Sequence, residues 1–402
     1  MPVISFYITV FLLSLNQLSV LSKSGGVNVY LFDIGVILFS VLGTLYFLIV
    51  KKSYKVPKYA FLFLMFLLPA VISLFISSIE LPTDKILTGF FYLLRYFSYL
   101  LSGMVVYNMA DKKILSKKKI ENALVWSGFF IAVAGFIQLI VLPDFTVLDP
   151  GLGWDPHKNR LASTFFDPNF VGAYLVVCVA LLLERIFPDK RIKKSSDAGF
   201  FTYFCLVVIL IGLILTFSRS AWGMLGIVIL VFGIFRSKRL LFLAIFTAFM
   251  AYFAIPRVQT RISGTTDPAD SASLRIVSWT NTSKIIRDNI WTGVGFNTFR
   301  YAQEDYGFLT PDQDEMHSGA GSDSSFLFVF ATTGLFGFLI YLGAFLFPLF
   351  DSLNKKYSGW LVIFSVLAGL FMESQFINSL FYPQIMFMLF SMLFVYDNKL
   401  SD

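Results

Sequence analysis

The chain has 402 residues, 57% of them hydrophobic and 18% aromatic, with a mean hydropathy of +0.74, which excludes a soluble globular domain. Charged residues make up 14%, against the ~25% usual in soluble chains. The net charge of +7 lies in short loops beside apolar runs rather than on one water-exposed domain, so a nucleic-acid partner is excluded as well.

Apolar runs recur from end to end, each long enough, at about 17–25 residues, to cross a ~30 Å hydrocarbon core as a helix. They lack the alternation of membrane-barrel strands. About twelve spans are expected: 3–21, 29–50, 59–79, 86–108, 121–142, 169–187, 200–217, 220–235, 240–255, 325–350, 358–373 and 380–396. The fold class is therefore all-α, a polytopic integral membrane protein. The first run has no basic residue ahead of it and no small-residue cleavage site, and reads as a retained span. With the N-terminus in the cytoplasm, the inside loops and tail carry 19 of the 32 Lys/Arg, as the positive-inside rule asks. Both termini are then cytoplasmic. Three parts follow: spans 1–9 over residues 1–255, one large outer loop over 256–324, and spans 10–12 with a short cytoplasmic tail over 325–402. Cys178 and Cys205 both fall inside apolar runs, so a disulfide framework is excluded.

Arg95 stands near the middle of the fourth span, where an ionisable residue costs about 2.5–3.5 kcal/mol even on the gentler insertion scales. It should face the bundle interior, either as a structural hydrogen-bond donor or as a contact for a buried ligand. Arg95 and Arg185 are the ionisable residues expected in or at the edge of spans. The outer segment from Pro143 ends in RLASTFFDPN (160–169), where Asp167 before Pro168 is a good helix start. The tight turn SRS (218–220) sets Arg219 at the outer membrane boundary. In the long loop, SLRIVSWTNTSKIIRDNIW (273–291) reads as a helix capped by Ser273, with Ile276, Trp279, Ile286 and Ile290 on one face. Arg275 and Trp279, four apart, are neighbours on it.

GVGFNT (293–298) lacks the third glycine of a dinucleotide fingerprint and follows a helix rather than a strand, so it reads as a turn. Asp312, Asp314 and Glu315 offer hard oxygen ligands, although acidic loop residues are more often simply solvated, and no metal is assigned. His317 lies near serines, without the arrangement of a hydrolase triad. Arg160, Arg219 and Arg275 come from three separate outer segments, each beside a span end. Convergent guanidinium groups are a natural clamp for a diphosphate, because the planar fork pairs two oxygens at once.

Four blocks, in order, carry a resemblance: RLASTFFDPN, TFSRSAW (216–222), SLRIVSW…IWTGVGFNTF (273–299) and SDSSFLFVFATTGLFG (322–337). With the span count, the chain resembles the O-antigen ligase and polysaccharide polymerase superfamily of bacterial membrane glycosyltransferases. The resemblance implies a GT-C-like bundle in the cytoplasmic membrane, with its active site on the outer face. It implies a glycan donor carried on undecaprenyl diphosphate and a glycan or lipid-glycan acceptor, with membrane lipids as surroundings and no cofactor. It also implies that Arg219 and Arg275 bind the diphosphate, with Arg160 beside them. Ligases of this kind carry a histidine, then Asn, Ser or Gln, nine residues, and Gly-x-x-Gly. Here that spacing falls on Asp323-Ser324 and on Gly334 and Gly337, so Asp323 replaces the histidine. His317 lies six residues earlier and is the second candidate base.

This departure favours a polymerase, which transfers the glycan to a sugar hydroxyl of another lipid-linked repeat unit, over a ligase that transfers it to lipid A core. The rival of another class is a lipid-linked oligosaccharide flippase. A transporter should gather its ionisable residues at the bilayer midplane and show repeat symmetry, whereas here they gather in outer loops and no repeat is visible.

Overall fold

The computed structural model describes residues 1–24, 27–148, 154–189, 198–264, 271–309, 321–354 and 359–397. His317, Asp312, Asp314 and Glu315 lie outside them. Among the described residues the chain is helical apart from one antiparallel hairpin, β1 (Val20–Ser24) with β2 (Val27–Tyr30). The helices are α1 (Pro2–Leu15), α2 (Leu31–Leu45), α3 (Ala60–Met65), α4 (Leu67–Phe75), α5 (Thr83–Asp111), α6 (Lys117–Val141), α7 (Pro168–Ile186) and α8 (Phe200–Leu215). There follow α9 (Arg219–Phe235), α10 (Lys238–Ala254), α11 (Pro256–Ser263), α12 (Ser271–Asp288), α13 (Phe299–Asp305), α14 (Ser325–Ser352), α15 (Trp360–Glu373) and α16 (Pro383–Asp397).

Helix occupies each of the twelve expected stretches. Six helical segments are long and apolar enough to cross a membrane: Pro2–Ser19, Leu31–Val50, Thr83–Asp111, Lys117–Val141, Pro168–Ile186 and Ser325–Ser352. A seventh is reached if α10 and α11, bent 97° apart, count as one span.

The core is built by α7, α15 and α16, whose side chains are buried nearly all round. α16 lies along α5 and α15 along α9. The α5–α16 approach is close because Gly103 faces Phe390, where a Cβ would come within 2.7 Å of the Phe390 Cβ. Small residues at such crossings let backbones approach and gain dispersion contact, the main attraction left between helices in lipid. α10, by contrast, has no buried residue and packs on α9 from outside. Its exposed surface is largely apolar.

Three sequence expectations change. The loop helix starts at Ser271, not at a Ser273 cap. Its buried face is Thr282, Ile285, Ile286 and Asn289, while Ile276 is 60% exposed, so Ile276 and Ile290 do not share the buried side with Trp279. Arg95 and Arg185 are also joined in apolar helices by Asp33, Glu184 and Glu373. Arg95 Nη2 pairs with Asp33 Oδ2 at 2.8 Å, and Tyr99 donates to the other carboxylate oxygen at 2.9 Å. Pairing of this kind offsets the desolvation of both charges.

α14 is not one straight rod. Gly334 breaks it, at φ 66° and ψ −172°, a region open in practice to glycine alone. The break admits the end of the loop helix: Leu335 N–H donates to Ile290 O at 2.8 Å, Val294 N–H to Ala331 O at 2.9 Å, and Gly295 N–H to Thr332 O at 3.0 Å. Gly293 and Gly295 themselves have positive φ, 67° and 101°, so GVG is a turn, docked on α14. A Cβ at Gly334 would sit 2.2 Å from Trp291 O. Gly334→Ala is therefore expected to destabilise the fold by at least the roughly 1–3 kcal/mol of a residue held in such backbone. Thermal unfolding of the detergent-solubilised protein measures this, and an unchanged midpoint would show that α12 docks without the break.

Candidate functional site

Four chain segments meet at one end of the bundle. The first is the stretch before α7. Asp167 caps α7, accepting from Asn169 N–H at 2.6 Å and Phe170 N–H at 3.4 Å, as the Asp-Pro pair predicts. Leu161 N–H donates to Leu215 O at 2.9 Å, and Arg160 Nε to Thr216 O at 2.9 Å. The second segment, the turn between α8 and α9, is thus bonded to the first. Ser218 caps α9 and also donates to Asn169 Oδ1 at 2.8 Å, which fixes Arg219 at the first position of α9.

The third segment is α12. Its Ser278 hydroxyl accepts from Asp323 N–H at 3.1 Å, Trp279 Nε1 donates to Asp323 O at 3.1 Å, and Thr282 bonds Ser322 at 2.9 Å. This stitching along residues 321–324 puts Arg275, one turn before Trp279, beside Asp323. The fourth segment is 374–382, tied to the start of α14 by Ser325 N–H to Ser374 O at 2.8 Å and Leu380 N–H to Ser325 Oγ at 3.2 Å.

Between them lies a cleft of 290 Å³. Its floor is aromatic: Tyr96, Phe296 and Phe381 in tilted and edge contact, with Phe170 stacked on Tyr382 at 4.0 Å between centroids. Its polar wall holds Asp155, Asp167 and Asp323, with Asn297, Asn378 and Arg95. Arg95 is thus paired with Asp33 and also lines the cleft. A larger cavity of 480 Å³ lies at the opposite end of α6 and α7, beside Lys117, Glu121 and Arg185. It contains none of the expected site residues.

Backbone strain gathers here too. Asn159, Ser163, Phe166, Phe217 and Asn297 have φ of 48–59°, uncommon for residues other than glycine. Such conformations persist only where the surroundings over-determine them. Ser163, for example, is held by its hydroxyl on Ile131 O at 2.6 Å and by its N–H on Gln138 Oε1 at 3.1 Å.

Ser324, not Asp323, caps α14, its Oγ accepting from Leu327 N–H at 3.3 Å. The Asp323 carboxyl is left facing the cleft. Burial pushes it above the ordinary carboxylate range, although Arg275 and the Ser278 hydroxyl pull the other way. Asp155 is pushed up to about 6, by burial first and then by the neighbouring Asp167 and Asp323. His157 is pushed down to about 4 by burial, and Arg160 and Arg261 add to this against Asp167. It is neutral at physiological pH. Arg160 is pushed down to about 9, by burial first, then by Arg261, with Arg275 and Arg257 in the same direction and Asp167 opposed.

Arg160, Arg219 and Arg275 come from segments that meet at this end of the bundle, and none of the three is among the residues that line the cleft. Arg257 and Arg261, which the sequence reading passed over as loop charges, join them: Arg219 Nη1 donates to Arg261 O at 3.3 Å. Asp155 and His157 were missed as well. Asp-Pro-His was the available signal, since it holds the first of only two histidines. Among the described residues Asp155, His157 and Asp167 each bring one ligand atom to within 4.8 Å of the others. That is metal-like spacing, but Arg160 Nη1 stands 3.5 Å from His157 Nδ1, and positive charge is already supplied by guanidinium groups.

No curated protein matches the chain. Residues 204–342 match the family model described as O-antigen ligase. The matched stretch is about a third of the chain and contains Arg219, Arg261, Arg275 and Asp323; it supports the resemblance to O-antigen ligases and polysaccharide polymerases.

Proposed function

We propose that the protein is a membrane polysaccharide polymerase. It transfers a glycan from an undecaprenyl-diphosphate carrier to a sugar hydroxyl of another lipid-linked repeat unit. In this reading all twelve apolar stretches cross the bacterial cytoplasmic membrane, both termini are cytoplasmic, and residues 256–324 form the outer loop that opens the cleft to the outer face. The charge asymmetry of the short loops supports that orientation. The observation that carries the function is the cleft itself, faced by the Asp323 carboxyl, which caps no helix and lies within the influence of Arg275.

Asp323 takes the proton of the acceptor hydroxyl as its oxygen bonds to the anomeric carbon. The bond from that carbon to the phosphate oxygen breaks, and the electron pair leaves on the lipid diphosphate. Arg219 and Arg275, with Arg160, stabilise the charge as it develops. The donor stores the energy of the transfer, so neither a nucleotide nor a metal enters the scheme. Arg95, with its neighbouring aromatic floor, faces the buried part of the substrate.

The glycan profile of a deletion strain tests the reading. A polymerase loss leaves single-repeat products. The family description favours a second reading, a ligase with a carboxylate base. Full-length polymer stranded on its lipid carrier would establish that reading in place of the first.

A further inference from the structure

We propose that the 480 Å³ cavity at the end of the bundle away from the cleft binds the zwitterionic headgroup of phosphatidylethanolamine, with its phosphate at converging helix N-termini and its ammonium at Glu184. The site is independent of the cleft, and its place in the inner leaflet follows from the cytoplasmic placement of both termini.

The helix ends come from the sequence. α6 opens after Ser116, α8 after Gly199 and α15 after Gly359, and among the described residues none of these positions carries a side-chain cap. Lys117, Lys118, Gly199, Phe200 and Gly359 all line the cavity. It therefore receives the positive ends of three helix dipoles with their first N–H groups, an ordinary setting for a phosphate. Gly359, at φ 78°, leaves room for the Tyr396 ring, which a Cβ there would run into. Tyr396 donates to Glu121 Oε1 at 2.8 Å, and Lys117 Nζ lies 3.6 Å from the centre of the same ring. Lys117 is thereby held at the cavity wall.

Both signs of charge are present in equal number. Lys117, Lys118 and Arg185 line the cavity together with Glu121, Glu184 and Asp189. Arg236 pairs with Asp189 at 3.0 Å. Arg185 Nη2 stands 3.8 Å from Glu121 Oε2, and Arg236 Nη2 3.9 Å from Glu184 Oε1, both beyond hydrogen-bond distance. Glu184 Oε2 is buried with no hydrogen-bond partner among the described residues. An acceptor in that state carries its desolvation cost without return, and an ammonium brings three donors. An anionic lipid would meet three carboxylates here, and a bare cation three basic side chains. A headgroup carrying both signs matches both.

The rest of the lining is apolar and includes Val125, Trp126, Leu182 and Phe201. Trp126 and Phe201 are also exposed on the outside of the bundle. Ring contacts of 5.8–6.1 Å, Trp126 with Phe130, Phe129 with Phe204 and Phe200 with Phe204, carry an aromatic surface from the cavity along α6 and α8. A tryptophan beside charged helix ends is usual at headgroup level, and the surface below it gives the acyl chains a place to lie.

The test measures, by calorimetry, binding of dihexanoyl phosphatidylethanolamine to the full-length protein in detergent. Phosphatidylcholine and phosphatidylglycerol with the same chains are the comparisons, because the first has no N–H donor and the second no cation. The wild type should bind phosphatidylethanolamine about 10–100-fold tighter than either, the range of a hydrogen bond to a charged group. Glu184→Gln keeps the size of the side chain and should abolish most of that preference without weakening phosphatidylglycerol. Lys118→Ala, at an exposed position, should weaken all three lipids through the phosphate, and it keeps the test open if the Gln variant folds poorly. Asp323→Asn should bind as the wild type does. Equal affinity for the three lipids would leave only a non-specific lipid contact and overturn the proposal. Tighter phosphatidylglycerol, insensitive to Glu184→Gln, would overturn it in favour of an anionic-lipid site.

Discussion

Asp323→Asn is expected to give a protein that folds, reaches the membrane at normal levels and makes almost no polymer, a loss of about 10²–10⁴-fold for a missing general base. The substitution keeps the size of the side chain and removes only the basic carboxylate. A capping role would predict little effect, since Asn caps nearly as well as Asp. The geometry already assigns the cap to Ser324, so Ser324→Ala is the variant that should cost about 0.5–2 kcal/mol of stability. Asp323 acts as a base only when ionised, and burial raises its pKa. Activity should therefore fall as pH drops through that raised value, earlier than an ordinary carboxylate would allow. Normal polymer from the Asn variant would move the base elsewhere, to Asp155 in the same cleft or to His317.

Replacing Arg219 or Arg275 by Ala should lower turnover by about 10²–10³-fold, the usual effect of removing one preorganised donor from a developing oxyanion. Lys should rescue either poorly, because an ammonium cannot pair two phosphate oxygens at once. The two positions are set by independent elements, Arg219 as the first residue of α9 and Arg275 one turn from the Trp279–Asp323 bond. Their effects on diphosphate binding should consequently both appear in single variants. Full activity of Arg275→Lys would rule out a bidentate contact there. Chelator is expected to leave the wild type unaffected. Its loss of activity on chelation would instead direct attention to Asp155, His157 and Asp167, or to Asp312, Asp314 and Glu315.

Signals acting within about one turn of chain were legible in the sequence. Apolar runs marked the helical stretches and the membrane class, because spanning segments must be apolar along their whole length. Asp167 before Pro168 marked the start of α7, the Ser-Arg-Ser turn put Arg219 at the start of α9, and Arg275 and Trp279 were neighbours by helical spacing alone. What the tertiary structure decided depends on contacts between distant segments. Arg257 bonds a carbonyl 99 positions away, which brings α11 over the stretch before Arg160, and Arg95 finds Asp33 across 62. Asp155 comes near Asp323, and His157 near Arg160 and Asp167, through the folding of the stretch before α7 and not through sequence spacing. The break at Gly334 was visible as a glycine and not as a break, since its meaning lies in Ile290 and Trp291, the partners that dock there. Periodicity and capping are properties of one helix, whereas a cleft is a property of the distances between several.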